Sequence, residues 1–191
     1  MIAKLSDFLA RMAKPWLILV SFLVMGAMLG YFLPGAQARL EASGGGPIDL
    51  LMFPTPAAVL AGVAAFTDEG RAFYLLVEIT YDLVYPIAYT LFYGLSLTVL
   101  LNQITAPNSH VRRLNLLPVA AFVFDLLENV GIISLLMSFP AQSAALAGFV
   151  SVVNSVKWMF AFGSIFALFV ALVFWGVKKV FGKKQTPQPT A

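Results

Sequence analysis

The chain has 191 residues, 60% of them hydrophobic and 11% charged, with a mean hydropathy of +0.88 and a formal net charge of +3. That is too apolar for a soluble surface, and a bilayer is the natural solvent. With no cysteine and one histidine, His110 in a polar stretch, the sequence excludes disulfides, thiolate or His-rich metal centres and Ser-His-Asp hydrolysis, and its basic residues sit beside apolar spans rather than on a nucleic-acid-binding face.

A helix needs roughly 20 mostly apolar residues to cross the hydrocarbon core, and four stretches qualify. They run from about Trp16 to Phe32, Phe73 to Leu101, Leu114 to Phe139 and Ala144 to Val177. The first is followed by Ala36-Gln37-Ala38, a signal-cleavage pattern, but its apolar run is longer than a usual signal core, so a retained span is expected. The long segment after it begins flexibly at Ser43-Gly44-Gly45-Gly46-Pro47 and turns apolar from Ile48. Thr55 can cap a helix with Pro56 at its first position, which predicts a short amphipathic helix over about Pro56 to Phe66, on the membrane surface or capping the bundle; a re-entrant segment is the second reading. The fold class is therefore all-α: a polytopic four-helix transmembrane bundle forming a single domain over residues 1–184. Residues 185–191, polar and Pro-containing, form a disordered cytoplasmic tail.

Orientation follows from the basic residues. Lys4, Arg11 and Lys14 precede the first span, Arg112 and Arg113 separate the second from the third, and Lys178, Lys179, Lys183 and Lys184 follow the fourth. The Lys/Arg excess makes that side cytoplasmic, with both ends inside and the segment from Pro34 to Ala72, carrying Arg39, Glu41, Asp49, Asp68, Glu69 and Arg71, outside. A bacterial inner membrane is the expected location. Trp16 and Trp175 fit the interfacial aromatic belts.

Four acidic residues fall within spans: Glu78 and Asp82 in the second, Asp125 and Glu128 in the third. Lys157 lies in the fourth. Each ionised side chain at mid-bilayer costs about 2.5 to 3.5 kcal/mol on insertion scales, so these residues need partners. Spacings of three and four place Glu78 with Asp82, Asp125 with Glu128 and Asn129, and Asn154 with Lys157 on single helix faces. Asp82, Glu128, Asn129 and Lys157 each lie about 15 Å in from the outer helix ends at 1.5 Å per residue. Three antiparallel helices can thus converge on one polar site, with hydroxyls from Tyr81, Tyr85 and Tyr89. Four carboxylates against one ammonium demand relief, by protons on some carboxyls or by a bound cation. Pro86 and Pro118 can kink their helices and free carbonyls near the site. Gly26 and Gly30 form a small-residue face, suited to packing within the chain or, as the second reading, to a homodimer.

The run Glu78-Ile79-Thr80-Tyr81-Asp82, with Tyr85-Pro86-Ile87-Ala88, resembles part of the second helix of the EXPERA superfamily, which includes the sigma-2 receptor and the emopamil-binding sterol isomerase. The resemblance covers those two runs alone. It implies a long first outer loop and a buried acidic site for amphiphilic cations or sterols, with Glu78 and Asp82 as ligand contacts. Asp125-Leu126-Leu127-Glu128-Asn129, with Lys157-Trp158 and Gly70-Arg71-Ala72-Phe73-Tyr74, resembles an uncharacterised bacterial family of four-span membrane proteins, which implies no function.

The leading functional reading is an intramembrane acidic site for a lipid or small amphiphile, with Glu78, Asp82, Asp125 and Glu128 as anionic or proton-shuttling groups and Asn129, Asn154 and Lys157 orienting them. If the protein is an enzyme, carboxyl pairs without His or Cys suit proton transfer such as double-bond isomerisation. A proton- or cation-coupled carrier is the rival, and polar clasps between helices the structural alternative. No cofactor and no metal are expected: absent histidines disfavour a di-metal carboxylate centre, and a Schiff-base Lys157 is disfavoured too. The expected partners are membrane lipids and the amphiphile, with no nucleic acid.

Overall fold

The computed structural model describes residues 2–107 and 109–181; the expected disordered tail, Lys183 and Lys184 lie outside the described residues. Six helices form the described chain and no strand is found among them. In chain order they are α1 (Ile2–Met12), α2 (Pro15–Ala42), α3 (Pro56–Ala65), α4 (Asp68–Ile104), α5 (Leu117–Ser138, led in by a 3₁₀ turn His110–Leu116) and α6 (Ala144–Phe181). Four of these units, α2, α4, α5 with its lead-in turn, and α6, are long and apolar enough to cross a membrane.

Local chemistry explains where they start. Pro15 and Pro56 occupy first turns, where the missing N–H is no loss. Thr55 accepts from the Ala58 N–H at 3.2 Å, and Thr67 caps α4 by accepting from Gly70 N–H at 3.1 Å, with Asp68 and Glu69 in the favourable first turn. The short helix α3 sits where the Thr55–Pro56 pair places it. The expected amphipathic character is absent: its sequence PAAVLAGVAA has no polar face, and its sides differ only in burial, Val59 and Val63, four apart, being buried.

The first span corrects the sequence reading, which ended it at Phe32. The helix continues to Ala42 through a π turn at Met28–Phe32. A proline ring clashes with the carbonyl four residues back, and the wider turn just ahead of Pro34 relieves that conflict, so Pro34 does not stop the helix. Ala36-Gln37-Ala38 thus lies inside a helix, with Ala36 and Leu40 buried. The helix stops at Ser43-Gly44, where Gly44 has φ +107° and a Cβ would stand 2.5 Å from the Ala65 carbonyl oxygen. Only glycine fits there.

The central helix is α4, which packs against α2, α5 and α6. The α5–α6 pair is the most extensive, and it is tight at Gly131, where an added Cβ would stand 2.5 Å from Val150 Cγ2. Helices α2 and α6 make at most a marginal contact, leaving a gap between the first and last spans. Gly26 and Gly30 do not serve packing within the chain: both are exposed, with nothing within 4 Å of an added Cβ. Pro118 sits in the first turn of α5 rather than in its interior, so it kinks nothing.

At one end of the bundle lie α1, the His110–Leu116 turn and the last turns of α4 and α6. Ser6 Oγ of α1 donates to Asn115 Oδ1 at 2.9 Å, and Asn115 Nδ2 donates to Thr98 Oγ1 at 2.9 Å. The carbonyls that end α4 are met by cations: Lys178 Nζ donates to Gln103 O at 2.6 Å and Arg112 Nη2 to Thr105 O at 3.1 Å. Trp175 Nε1 donates to Gln103 Oε1 at 2.7 Å with Lys179 above its ring. Trp16 is exposed.

Candidate functional site

Toward the other end, α4, α5 and α6 turn their polar faces to one another. Glu78, Asp82, Asp125, Glu128, Asn129, Asn154 and Lys157 are all buried. Lys157 Nζ is paired with Glu128 Oε2 and lies 3.3 Å from Asp125 Oδ1. Asn154 Nδ2 donates to Glu128 Oε1 at 2.7 Å. The lysine therefore bridges two carboxylates of α5, three apart and on one face, while Asn154 holds the deeper of them.

Asn129 has a separate role that follows from the helix backbone. Pro86 has no N–H, so the carbonyl of Asp82, four residues back, has no helical donor. Asn129 Nδ2 supplies one at 2.9 Å. The side chain thus stands in for the broken α4 hydrogen bond at Asp82. We expect Asn129→Ala to cost about 1 to 3 kcal/mol, as a buried carbonyl loses its donor, and to cost clearly less when Pro86→Ala restores the N–H. A thermal-stability cycle in detergent checks this, and additive losses would remove the proposed link.

The sequence reading missed Asp49. It counted this residue among the outer-loop charges, but the loop after α2 turns inward, and a 3₁₀ turn at Ile48–Leu50 buries Ile48 and Asp49 within the bundle. Tyr74, fully buried on α4, organises the turn: its hydroxyl accepts from the N–H groups of Ile48 at 2.6 Å and Asp49 at 3.3 Å and donates to Asp49 Oδ1 at 2.7 Å. From α6, Asn154 Nδ2 at 3.3 Å and Lys157 Nζ at 3.1 Å both donate to the Asp49 carbonyl. Ser151 Oγ donates to the Pro54 carbonyl and holds the following residues. Asp49, Glu78 and Asp82 each present a carboxylate oxygen, the three lying within 4.8 Å of one another. The signal available in the sequence was one acid, Asp49, inside the apolar run from Ile48 to Phe53.

Beside this cluster is a cavity of about 320 Å³, in the gap between α2 and α6. Leu29, Leu33 and Gln37 of α2 form one wall and Trp158, Ala161 and Ile165 of α6 the other. Asp49, Asp82, Asp125 and Lys157 also line it, as do Tyr85, Tyr89 and Tyr93 of α4. Glu78 and Glu128 are not in its lining. Tyr81 is a correction: its ring packs on Phe32 at 5.9 Å and does not line the cavity. Asp82, Tyr85, Tyr89 and Tyr93 form one stripe at steps of three and four, and Tyr81, one residue before Asp82, points about 100° away. Tyr93 belongs to the site instead. The buried Tyr89 hydroxyl, Trp158 Nε1 and Asp125 Oδ2 have no hydrogen-bond partner among the described residues, although all three residues line the cavity.

No family model matches the chain, and neither the curated proteins nor the solved structures searched contain a match.

Proposed function

We propose that this protein is an integral membrane protein that binds a lipid or small amphiphile in the cavity between its first and last spans. The observation that carries the reading is that cavity itself: largely apolar walls from α2 and α6, with three carboxylates and one ammonium in the lining. Its volume falls at the small end of the range typical of ligand pockets, and pockets of this kind bind an apolar body and fix its orientation through a few polar groups. Because α2 and α6 barely touch, the natural entrance is sideways, from the hydrocarbon layer. The unpaired Tyr89 hydroxyl and Trp158 Nε1 supply further hydrogen bonds to a polar head. If proton transfer accompanies binding, Asp82 and Asp125 are the groups in reach of a ligand, while Glu78 and Glu128 stand behind them. Kinship with the EXPERA superfamily belongs to the same proposal and rests on the two runs in α4.

Filling the cavity tests this. Ala161→Trp places an indole between the walls. We expect amphiphile recovered with the wild-type protein, measured by native mass spectrometry and lipidomics of nanodisc preparations, to fall at least about tenfold, with little change in thermal midpoint, since the space is already open to a ligand. Equal recovery from both proteins would end the cavity reading. The same spectra decide a further partner, a homodimer through the outward Gly26–Gly30 face: only monomers would remove it.

The carrier reading stands second. It needs a path from the cavity to the end with α1, where Leu97, Leu100, Leu101 and Ala171 form an apolar core and Ser6, Asn115 and Thr98 are joined by hydrogen bonds. Chemistry or binding at a lateral cavity needs no such path.

We further propose that the basic end is cytoplasmic, in a bacterial inner membrane. Lys4, Arg11, Lys14, Arg112, Arg113, Lys178 and Lys179 support this, since they all lie on elements of one end of the bundle. Reporters fused to the N-terminus, the loop after Ile104 and the C-terminus should all read cytoplasmic. One external signal would reverse the model of orientation.

A further inference from the structure

The buried charges divide into two groups. Lys157 serves Asp125 and Glu128 by ion pairing, and it meets Asp49 only at the backbone carbonyl. The carboxylates of Asp49, Glu78 and Asp82 form no ion pair among the described residues. The Asp49 carboxylate accepts one hydrogen bond, from Tyr74. Glu78 is 2% exposed, and neither of its carboxylate oxygens has a hydrogen-bond partner among the described residues, though one lies within 4.8 Å of both the Asp49 and Asp82 oxygens. A buried carboxylate with both oxygens unpaired, aimed at two others, is a costly arrangement unless something binds there.

We propose that Asp49, Glu78 and Asp82 form a binding site for one divalent cation of calcium size. The donors are all hard oxygens, with no nitrogen or sulfur among them, which selects calcium, magnesium or manganese over zinc or copper. Geometry then decides. Calcium takes about six to eight oxygens at about 2.3 to 2.6 Å in flexible arrangements, whereas magnesium demands a near-ideal octahedron at about 2.1 Å and gives up its waters reluctantly. Three oxygens within 4.8 Å of one another, two from α4 and one from an irregular loop, suit the more tolerant ion. Three ligands on α4 and the inward loop leave coordination positions for water or for a ligand's oxygen. Asp49 and Asp82 line the cavity, which gives the ion a route in and puts it next to the proposed amphiphile head. The site would also bind the outer loop to α4, in the same place where Tyr74 already does so. This inference goes beyond the amphiphile reading and does not depend on it, because its test uses no amphiphile.

The experiment titrates CaCl₂ into chelator-stripped protein in nanodiscs of neutral phosphatidylcholine, by isothermal calorimetry, against empty nanodiscs. We expect saturable binding of one ion per chain, at least about tenfold weaker in Glu78→Gln and in Asp49→Asn, and within about twofold of wild type in Glu69→Gln, an exposed acid at the same end. Magnesium should compete more weakly than calcium. A hundredfold excess of calcium over Kd should raise the thermal midpoint by about 5 °C or more. No binding above empty nanodiscs, or undiminished binding by Glu78→Gln, overturns the site. Terbium keeps the proposal testable on the wild type should the variants not fold: its emission, excited through the protein's aromatic rings, should show an ion stripped of most of its water shell and displaced by calcium. A fully hydrated ion would equally overturn it.

Discussion

Replacing Lys157 by Met should destabilise the protein by about 3 to 5 kcal/mol, because it leaves two buried carboxylates without their shared cation. For a chain of this size that is a fall of roughly 10 °C in thermal midpoint. The geometry ranks the rescues. Glu128 is wholly buried and in direct contact with the ammonium, so Glu128→Gln in the Lys157→Met background should recover the most; a glutamine can also still accept from Asn154 through its amide oxygen. Asp125, at 3.3 Å and open to the cavity, should recover less, since solvent or ligand reaches it. Asp82 forms no ion pair with Lys157 and should recover least. Coupling above about 1 kcal/mol is expected with Glu128, read by a double-mutant cycle on unfolding in detergent. Additivity with both Glu128 and Asp125 would mean that the lysine does not belong to one electrostatic unit with them. The same ranking separates a site from a set of simple clasps, because intramembrane hydrogen bonds that merely join helices are worth about 0.6 kcal/mol each.

What could be read from the sequence, and what could not, has a physical pattern. Periods of three and four put Glu78, Asp82, Asp125, Glu128, Asn154 and Lys157 on faces that the helices bury, because within a helix the geometry is fixed by the backbone. The Thr55–Pro56 start was equally local. Two features needed long-range information. One is the end of α2: Pro34 reads as a stop by itself, and only the π turn before it lets the helix run on to Ala42, where Leu33, Gln37 and Leu40 then wall the cavity. The other is Asp49, in a loop with no period, whose burial is decided by a hydroxyl 25 residues further along the chain. A bound cation is one of the two reliefs that the buried charge demands, but absent histidines disfavour a di-metal centre, and a third acid near Glu78 and Asp82 is invisible without the inward turn. Tyr81 failed for a smaller reason, a rotation of one residue on α4.

The tyrosine that fixes that turn gives the second large effect. Tyr74→Phe removes an oxygen that satisfies three groups at once: the N–H of Ile48, the N–H of Asp49 and one Asp49 carboxylate oxygen. Ile48 is fully buried, so the desolvation penalty of its N–H applies in full; Asp49 lines the cavity, where solvent offsets part of the loss. The expected total is about 2 to 4 kcal/mol for the loss of one oxygen atom. Much of it should be spent in opening the inward turn rather than the bundle, since Asn154, Lys157 and Ser151 contact the loop only through its carbonyls. Hydrogen exchange distinguishes the two cases. Amides at residues 48–51 should exchange roughly thirtyfold faster in Tyr74→Phe, the equivalent of about 2 kcal/mol, while those in the middle of α5 change little. Tyr93→Phe, whose hydroxyl makes no hydrogen bond among the described residues, should leave both regions alone. If protection at residues 48–51 is unchanged, the turn is held by something other than Tyr74, and the placement of Asp49 against Glu78 and Asp82 loses the contact that accounts for it.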